Sequence, residues 1–193
     1  NKKDPPVYVA IAKAYLINGM EAEAQAALDN AKKQNINDPS IYLYEGDWLI
    51  SKDKPGDAAG RYEQAIHFDP ACKEAYIKYA DVYQGVTPAL SIEMLRKVIA
   101  NYPDYLPAYY KLGNIYSLQG NYSQAIAAYK TYMTEGIYSI DNLIHYASAL
   151  FFNKQYAEAE KAINKGRATD PGNFLLKRLA IYNDYETKAY EKD

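Results

Sequence analysis

Residues 109–116 read YYKLGNIY and residues 121–129 read NYSQAIAAY. If Leu106 is place 1 of a frame that ends with place 34 at Ser139, Gly113 falls at place 8 and Tyr129 at place 24. Aromatic and small residues recur at helical spacing on both sides of Gly120, whose flanking sequence is a turn signal. The stretch therefore predicts two helices that pack together, with large rings beside small partners.

The same frame recurs along the chain. Its copies start at Pro5, Pro39, Lys73, Leu106 and Ile140. The third copy is one residue short, and the missing residue falls in the turn at 84–87. Proline closes three copies, at Pro70, Pro103 and Pro171. One such pattern would fit any buried helix, but five in register indicate an internal repeat.

This pattern resembles the tetratricopeptide repeat, in particular the tyrosine-rich arrays of bacterial type. The resemblance implies an all-α fold, a right-handed superhelical solenoid of antiparallel helix pairs with about five repeats and one extra C-terminal helix. The implied repeats are 5–38, 39–72, 73–105, 106–139 and 140–173, followed by a partial or capping repeat at 174–193. We expect one solenoid domain over residues 1–193.

The last unit, 174–193, stops before a second helix can form. Either the chain is a fragment of a longer protein, or this segment is a capping helix with a polar outer face. Lys177, Asn183 and Asp184 place polar groups where earlier repeats have apolar ones. Because an unfinished repeat leaves an apolar side uncovered, self-association through 174–193 is a further expectation.

Composition narrows the classes of function. A formal charge of −2 without a basic cluster argues against nucleic-acid binding. No apolar run is long enough for membrane insertion, and one cysteine, Cys72, excludes an internal disulfide framework. The start at Asn1 suggests a processed or excised chain, so the compartment stays open.

The sequence contains no recognisable catalytic pattern. His67 and His145 lie more than two repeats apart, so they are not expected to share a metal ion. The chain has no glycine-rich phosphate loop and no grouping of nucleophile, base and orienting residue. We therefore expect no enzymatic activity, no cofactor and no metal site.

The resemblance implies that the first helix of each repeat lines a concave groove through places 2, 5, 9 and 12 of the frame. Asp47 and Asp81 would favour a basic group, while Phe151, Tyr182 and Tyr185 would supply aromatic anchors. We expect this groove to bind a protein or an extended peptide. The predicted groove residues are Lys13, Leu43, Asp47, Ile77, Asp81, Tyr110, Asn114, Ile144, Ser148, Phe151, Arg178, Tyr182 and Tyr185.

Other interpretations remain open from sequence. The groove residues could pack between helices, and the array could be a structural or assembly segment of a larger protein. The tyrosines at signature places are expected to be core residues, and Trp48 is expected to pack at a helix interface. The lysine and asparagine clamp with which some family members hold chaperone tails is absent, because the matching residues are Val9, Lys13, Tyr44, Glu74 and Lys78.

Overall fold

The structure is a computed structural model that describes residues 4–134 and 138–190. The described residues form eleven α-helices and no strand, which confirms the all-α class. The chain divides into two compact units, residues 1–98 and 99–193. The predicted repeat 106–139 and the segment 174–193 extend in part beyond the described residues, which leave out 135–137 and 191–193.

The first unit is built from consecutive helix pairs. Its helices are α1 (Pro5–Ile17), α2 (Glu21–Gln34), α3 (Pro39–Ser51), α4 (Pro55–Phe68), α5 (Lys73–Tyr83) and α6 (Pro88–Asn101), and the unit boundary falls inside α6. α1 packs on α2 and α3 packs on α4. The Ser91 hydroxyl of α6 donates a 2.7 Å hydrogen bond to the carbonyl of Ala80 in α5. Asn18-Gly19 predicts the end of a helix, and α1 indeed ends at Ile17, directly before this pair, with α2 beginning at Glu21.

The second unit repeats this arrangement. Its helices are α7 (Leu106–Leu118), α8 (Tyr122–Met133), α9 (Ile140–Phe152), α10 (Tyr156–Thr169) and α11 (Phe174–Tyr190). α7 packs on α8, α9 packs on α10, and α11 packs on α10 and α9. The first helix of each predicted repeat therefore begins at the first place of the frame.

Prolines mark the N-termini of several helices, but the side-chain cap predicted for the first of these helices is wrong. Pro5, Pro39 and Pro55 stand at helix N-termini, where a missing N–H costs nothing. The sequence Asp4-Pro5-Pro6 predicts a helix start with Asp4 as its cap, but the Asp4 carboxylate accepts no capping hydrogen bond. The reason is local, because Pro6 has no N–H and the N–H of Val7 bonds to the backbone carbonyl of Asp4 instead.

Four turns between paired helices share one backbone geometry. Place 15 of the frame has a positive φ in each, at Gly19 (73°), Asp53 (57°), Gly120 (75°) and Lys154 (60°). The next residue donates its N–H to a carbonyl five residues earlier, as in Met20 to Tyr15 and Gln155 to Leu150. This helix-ending geometry favours glycine. Two of the four positions, Asp53 and Lys154, nevertheless have a residue with a side chain.

Replacing Lys154 with glycine is expected to raise the free energy of unfolding by about 1 kcal/mol, because glycine adopts this φ without strain. Urea denaturation followed by circular dichroism measures the change. The converse substitution, Gly120→Lys, serves as the control and is expected to lower stability by a similar amount. A Lys154→Gly variant that is less stable than the parent would contradict the assignment of strain to this turn.

Tyrosines make up much of the core. Of the nine at signature places, five are buried and four are half-buried, which fits their expected packing role. Tyr42 and Tyr76 also donate hydrogen bonds from their hydroxyls to the carbonyls of Ile36 and Pro70 in the preceding turns. Trp48 is half-buried and packs against the core of the first unit, as expected.

α11 corrects one prediction about the end of the chain. Asn183 was expected to add to a polar outer face, but it is 2% exposed. Its amide nitrogen donates a 3.1 Å hydrogen bond to the carbonyl of Tyr156 at the start of α10. Lys177 and Asp184 are exposed, as expected. Asn183 therefore donates a hydrogen bond to the N-terminal end of α10. The polarity of its side chain alone does not predict this buried contact.

Candidate functional site

The first unit places a charged pair on the side of α3 and α5 where the groove is predicted. Lys78 Nζ lies 2.8 Å from Asp47 Oδ1 and 3.5 Å from a carboxylate oxygen of Glu74. Burial alone would lower the pKa of Lys78, but the hydrogen bond and charge of Asp47, aided by Glu74, raise it above its ordinary value. Lys78 is thus held charged between two carboxylates.

A tyrosine from α4 reaches this charged pair. Tyr62 is 2% exposed, and its hydroxyl donates a 3.0 Å hydrogen bond to Asp47 Oδ1. Its ring lies against Gly46, where a Cβ atom would overlap the ring. Burial first, and then the charge and hydrogen bond of Asp47, raise the pKa of Tyr62 above its ordinary value. Gly46 therefore lets a residue of the second helix present its hydroxyl beside the first.

The other predicted residues of the first unit differ in exposure. Asp81 lines the same cavity as Asp47 and Lys78, which has a volume of about 490 Å³. Lys13 is exposed and Ile77 is half-buried. Leu43 is half-buried and packs against both core clusters of this unit, so much of its side chain serves helix packing.

In the second unit Tyr110 joins α7 to α9. Its hydroxyl donates a 3.0 Å hydrogen bond to Asp141 Oδ2 and lies 3.1 Å from His145 Nδ1. The same nitrogen lies 2.8 Å from the carbonyl oxygen of Asp141. The Tyr110 ring also contacts the rings of Tyr129 and Tyr132. Burial, and then the hydrogen bond to Asp141, raise the pKa of Tyr110 above its ordinary value.

The arrangement seen at Gly46 recurs one unit later. The Tyr129 ring lies against Gly113, where a Cβ atom would overlap it. The Tyr129 hydroxyl donates a 2.8 Å hydrogen bond to Asn114 Oδ1 and lies 3.3 Å from Ser117 Oγ. Burial raises the pKa of Tyr129 to about 12, although the Ser117 hydrogen bond opposes the shift. In both units a tyrosine at place 24 therefore fixes the side chain at place 9.

The remaining predicted residues lie on α9 and α11. Ile144 and Ser148 are half-buried on α9. Phe151 is half-buried and contacts the rings of Phe152 and Tyr156. On α11, Arg178 is exposed, and Tyr182 and Tyr185 are 52% and 72% exposed. Spacings of four and three residues put these last three on one side of their helix.

Sequence reasoning missed several contributors to these two faces. Tyr62 and Tyr129 were assigned to the core, and Lys78 and His145 were not assigned to the groove. A signal was available, since glycine at place 8 occurs only in the repeats with tyrosine at place 24. The repeats with alanine at place 8 have leucine or isoleucine at place 24 instead. Those alanine pairs are Ala12 with Leu28, Ala80 with Leu95, and Ala147 with Ile163.

Residues 4–134 and 138–190 offer few groups for other chemistry. No group of three or more histidine, cysteine or acidic residues there could hold a metal ion. Burial raises the pKa of the Cys72 thiol, which is half-buried and unpaired. None of the helices in these ranges combines the length and apolar character needed to cross a membrane.

Comparisons with known proteins match one segment of the chain to a repeat family and match the chain's fold to solved structures. A family model for the tetratricopeptide repeat matches residues 94–127, while no curated protein matches the chain. The crystal structure of MamA is similar at 23% identity with a TM-score of 0.70, covering 86% of this chain and 92% of MamA. Residues 94–127 therefore match the tetratricopeptide repeat, and the fold of the chain is that of tetratricopeptide repeat solenoids.

Two further solved tetratricopeptide repeat folds are similar at low identity. PilF of Pseudomonas aeruginosa has a TM-score of 0.77 at 17% identity, covering 96% of this chain and 87% of PilF. YrrB, described as a protein of this class with an unusual peptide-binding site, has a TM-score of 0.69 at 16% identity, with 92% of each chain covered. These likenesses confirm the solenoid fold of antiparallel helix pairs. Proteins with this fold are interaction modules, and some bind peptides.

Proposed function

We propose that this tetratricopeptide repeat protein binds another protein or an extended peptide and has no catalytic activity. The binding face in the first unit is that of α1, α3 and α5, and in the second unit that of α7, α9 and α11. One observation carries the proposal. In both units the polar side chain at place 9, Asp47 or Asn114, is fixed by the hydroxyl of a buried tyrosine.

Fixed polar groups favour selective binding for a physical reason. A side chain that is already immobilised loses little conformational entropy when a ligand arrives. Asp47 accepts hydrogen bonds from Tyr62 and Lys78, so its orientation is set before any partner binds. An interior packing role would not require a polar atom at the end of each tyrosine ring, since a phenyl ring fills the same space.

The two faces offer different chemistry to a ligand. In the first unit the carboxylates of Asp47 and Glu74 pair with the ammonium group of Lys78, and Asp81 adds a third carboxylate to the same cavity. The first face therefore favours a basic side chain. The second face offers exposed aromatic rings, which are frequent energetic anchors in protein interfaces. A segment with a basic side chain matches the first face, and a segment with apolar side chains matches the second.

A capture experiment with one blocking substitution in each unit tests the proposal. Ile50→Arg adds bulk and charge at the exposed edge of the first cavity, and Ser148→Arg does so on the second face. Extract from the source organism is passed over the parent chain and over each variant. We expect a partner retained by the parent to be reduced at least about tenfold by one or both variants.

Matched substitutions on the second helices of the pairs control for the effect of adding an arginine to the surface. Glu23→Arg on α2 and Gln124→Arg on α8 change exposed residues, so both are expected to retain the partner. Thermal melts must show that all four variants remain folded. Equal retention by the parent and by both groove variants would contradict binding through these faces.

A second function, as an assembly segment, is favoured by the exposed side of α11. Phe174, Ile181 and Tyr185 there are 71%, 66% and 72% exposed, which leaves a large apolar area without cover from the described residues. Sedimentation equilibrium over a concentration series distinguishes the two functions. Dimers lost on Phe174→Ser and Ile181→Ser substitution would favour assembly, whereas a monomer at all concentrations would favour ligand binding.

A further inference from the structure

The second unit has a cavity on the side of α9 that faces away from the proposed binding face. The cavity has a volume of about 490 Å³ and lies between α8, α9 and α10. Leu143 and Tyr146 of α9 line it, whereas Ile144 and Ser148 were assigned to the groove. At 100° per residue, these two pairs point in different directions from the helix axis. The cavity is therefore separate from the site already proposed.

The floor of this cavity is apolar and firmly packed. Met133, Leu143 and Ala162 contribute to it and are each less than 7% exposed. Burial, with the nearby charge of Glu158, raises the pKa of the Tyr146 phenol, which also lines the cavity. A volume of this size lies within the range of ligand pockets and exceeds that of any single side chain.

The rim of the cavity is basic. Lys130, Lys161 and Lys165 are exposed, and Glu158 is the one carboxylate among the described lining residues. Within the described ranges none of the three ammonium groups has an ion-pair partner, and Lys165 Nζ lies 2.9 Å from the centre of the Tyr138 ring. The rim thus has a formal charge of +2 on a chain whose formal charge is −2.

The spacing of these lysines does not favour helix stability. Lys161 and Lys165 are four residues apart on α10, a spacing at which like charges slightly destabilise a helix. Lys130 approaches from α8 on the other side of the cavity. Three ammonium groups around an apolar recess would attract carboxylates next to a buried side chain.

We propose that this lysine-rimmed cavity is a second docking site and that it takes an acidic segment of a partner protein. An aromatic or large aliphatic side chain of that segment enters the recess, and the carboxylates on either side of it pair with Lys130, Lys161 and Lys165. A planar anionic membrane would contact the three rim lysines, but it would not fill the apolar recess between them. A peptide with one inserted side chain satisfies both parts of the site.

Amide chemical shifts of the isotope-labelled chain test this site. The probe is acetyl-Asp-Glu-Phe-Asp-Glu-amide, and the matched neutral peptide is acetyl-Asn-Gln-Phe-Asn-Gln-amide. We expect the acidic probe to shift the amides of Met133, Leu143 and Ala162, and to bind more weakly as salt is added. The neutral peptide is expected to bind at least about fivefold more weakly.

Substitutions at the rim should change affinity in opposite directions. The combined Lys130→Gln, Lys161→Gln and Lys165→Gln variant is expected to raise the Kd for the acidic probe about tenfold. Glu158→Gln is expected to lower it about twofold, because a repelling carboxylate is removed. The control variant combines three exposed lysines that do not line the cavity, Lys33→Gln, Lys177→Gln and Lys188→Gln. It loses the same charge and is expected to leave the Kd within about twofold.

Each of three outcomes would overturn the proposal. The first is equal binding of the acidic and neutral peptides. The second is a set of shifts confined to the faces of α7 and α9 that carry Tyr110 and Ser148. The third is binding of phosphatidylglycerol vesicles that depends on the three lysines, with no shifts from the acidic peptide, which would assign the rim to a lipid surface.

Discussion

Replacing Gly46 with alanine is expected to lower the free energy of unfolding by about 2 kcal/mol, although alanine is the better helix former. Gly46 is buried inside α3, and a Cβ atom there would overlap the ring of Tyr62. That ring cannot withdraw easily, because it is 2% exposed and its hydroxyl is bonded to Asp47. Urea denaturation followed by circular dichroism measures the loss.

A glycine in the same helix pair provides the control. Gly60 lies on the exposed side of α4, and an added Cβ atom there would meet nothing within 4 Å. Gly60→Ala is therefore expected to raise stability by about 0.5–1 kcal/mol. If Gly46→Ala were as stable as Gly60→Ala, the close approach of Tyr62 would not be a packing constraint.

A second substitution should restore part of the stability that Gly46→Ala loses. Tyr62→Leu reproduces the alanine and aliphatic pairing of the first, third and fifth repeats. The double variant is expected to recover about half or more of the lost stability, so the two changes are not additive. The hydroxyl that holds Asp47 is lost in the same variant. Binding by the first unit should therefore weaken even as stability returns.

We expect the protein to lose stability steeply at alkaline pH, because several tyrosine hydroxyls are buried. Burial is the leading cause that raises the pKa of six tyrosines above the ordinary value of 10.0, and for Tyr129 it reaches about 12. The six are Tyr44, Tyr62, Tyr79, Tyr110, Tyr129 and Tyr146. Above pH 10 these phenols lose their protons more readily in the unfolded chain, so rising pH favours unfolding.

The sign and the range follow from these pKa values. The stability that Tyr129 contributes is complete below pH 10 and is lost as the pH rises through about 12. Tyr129 alone lowers the free energy of unfolding by about 1.4 kcal/mol per pH unit in this range, and the other five tyrosines act in the same direction. We expect a steep fall in the urea midpoint above pH 10, together with tyrosinate absorbance that appears as the helices are lost.

Phenylalanine substitutions separate the contributions. In the Tyr129→Phe variant the free energy of unfolding is expected to fall less steeply above pH 10, by the contribution of about one proton. The lost hydrogen bonds are expected to lower the free energy of unfolding by about 1 kcal/mol at neutral pH. Tyr185→Phe changes a residue that is 72% exposed and is expected to leave stability at neutral pH unchanged. A urea midpoint that stays constant up to pH 12 would contradict the burial of these hydroxyls.

The periodic features of the fold were accessible from sequence because each depends on residues close in the chain. Places 4, 8 and 24 predict paired helices, and Asn18-Gly19 predicts the end of α1. The cap at Asp4 failed for a local reason, since the following prolines remove the donor that the carboxylate would bind.

The features that define the proposed sites depend on contacts between distant residues. The hydroxyl of Tyr62 reaches Asp47 fifteen places earlier only because Gly46 leaves room for the ring. Asn183 is buried because a carbonyl at the start of α10 accepts its hydrogen. The lysine-rimmed cavity collects side chains from two predicted repeats. Periodicity marks the face on which a residue lies, but it does not show which distant atom that residue meets.

Site-specific photocrosslinking in the source organism tests the central claim most directly. A benzophenone amino acid is placed at Ile50 and at Ser148 on the proposed binding faces, and at Glu23 and Gln124 as exposed controls on α2 and α8. We predict a crosslinked partner from one or both face positions and none from the controls. Adducts that form only from the control positions would contradict binding through the first helices of the repeats, as would adducts of equal yield at all four.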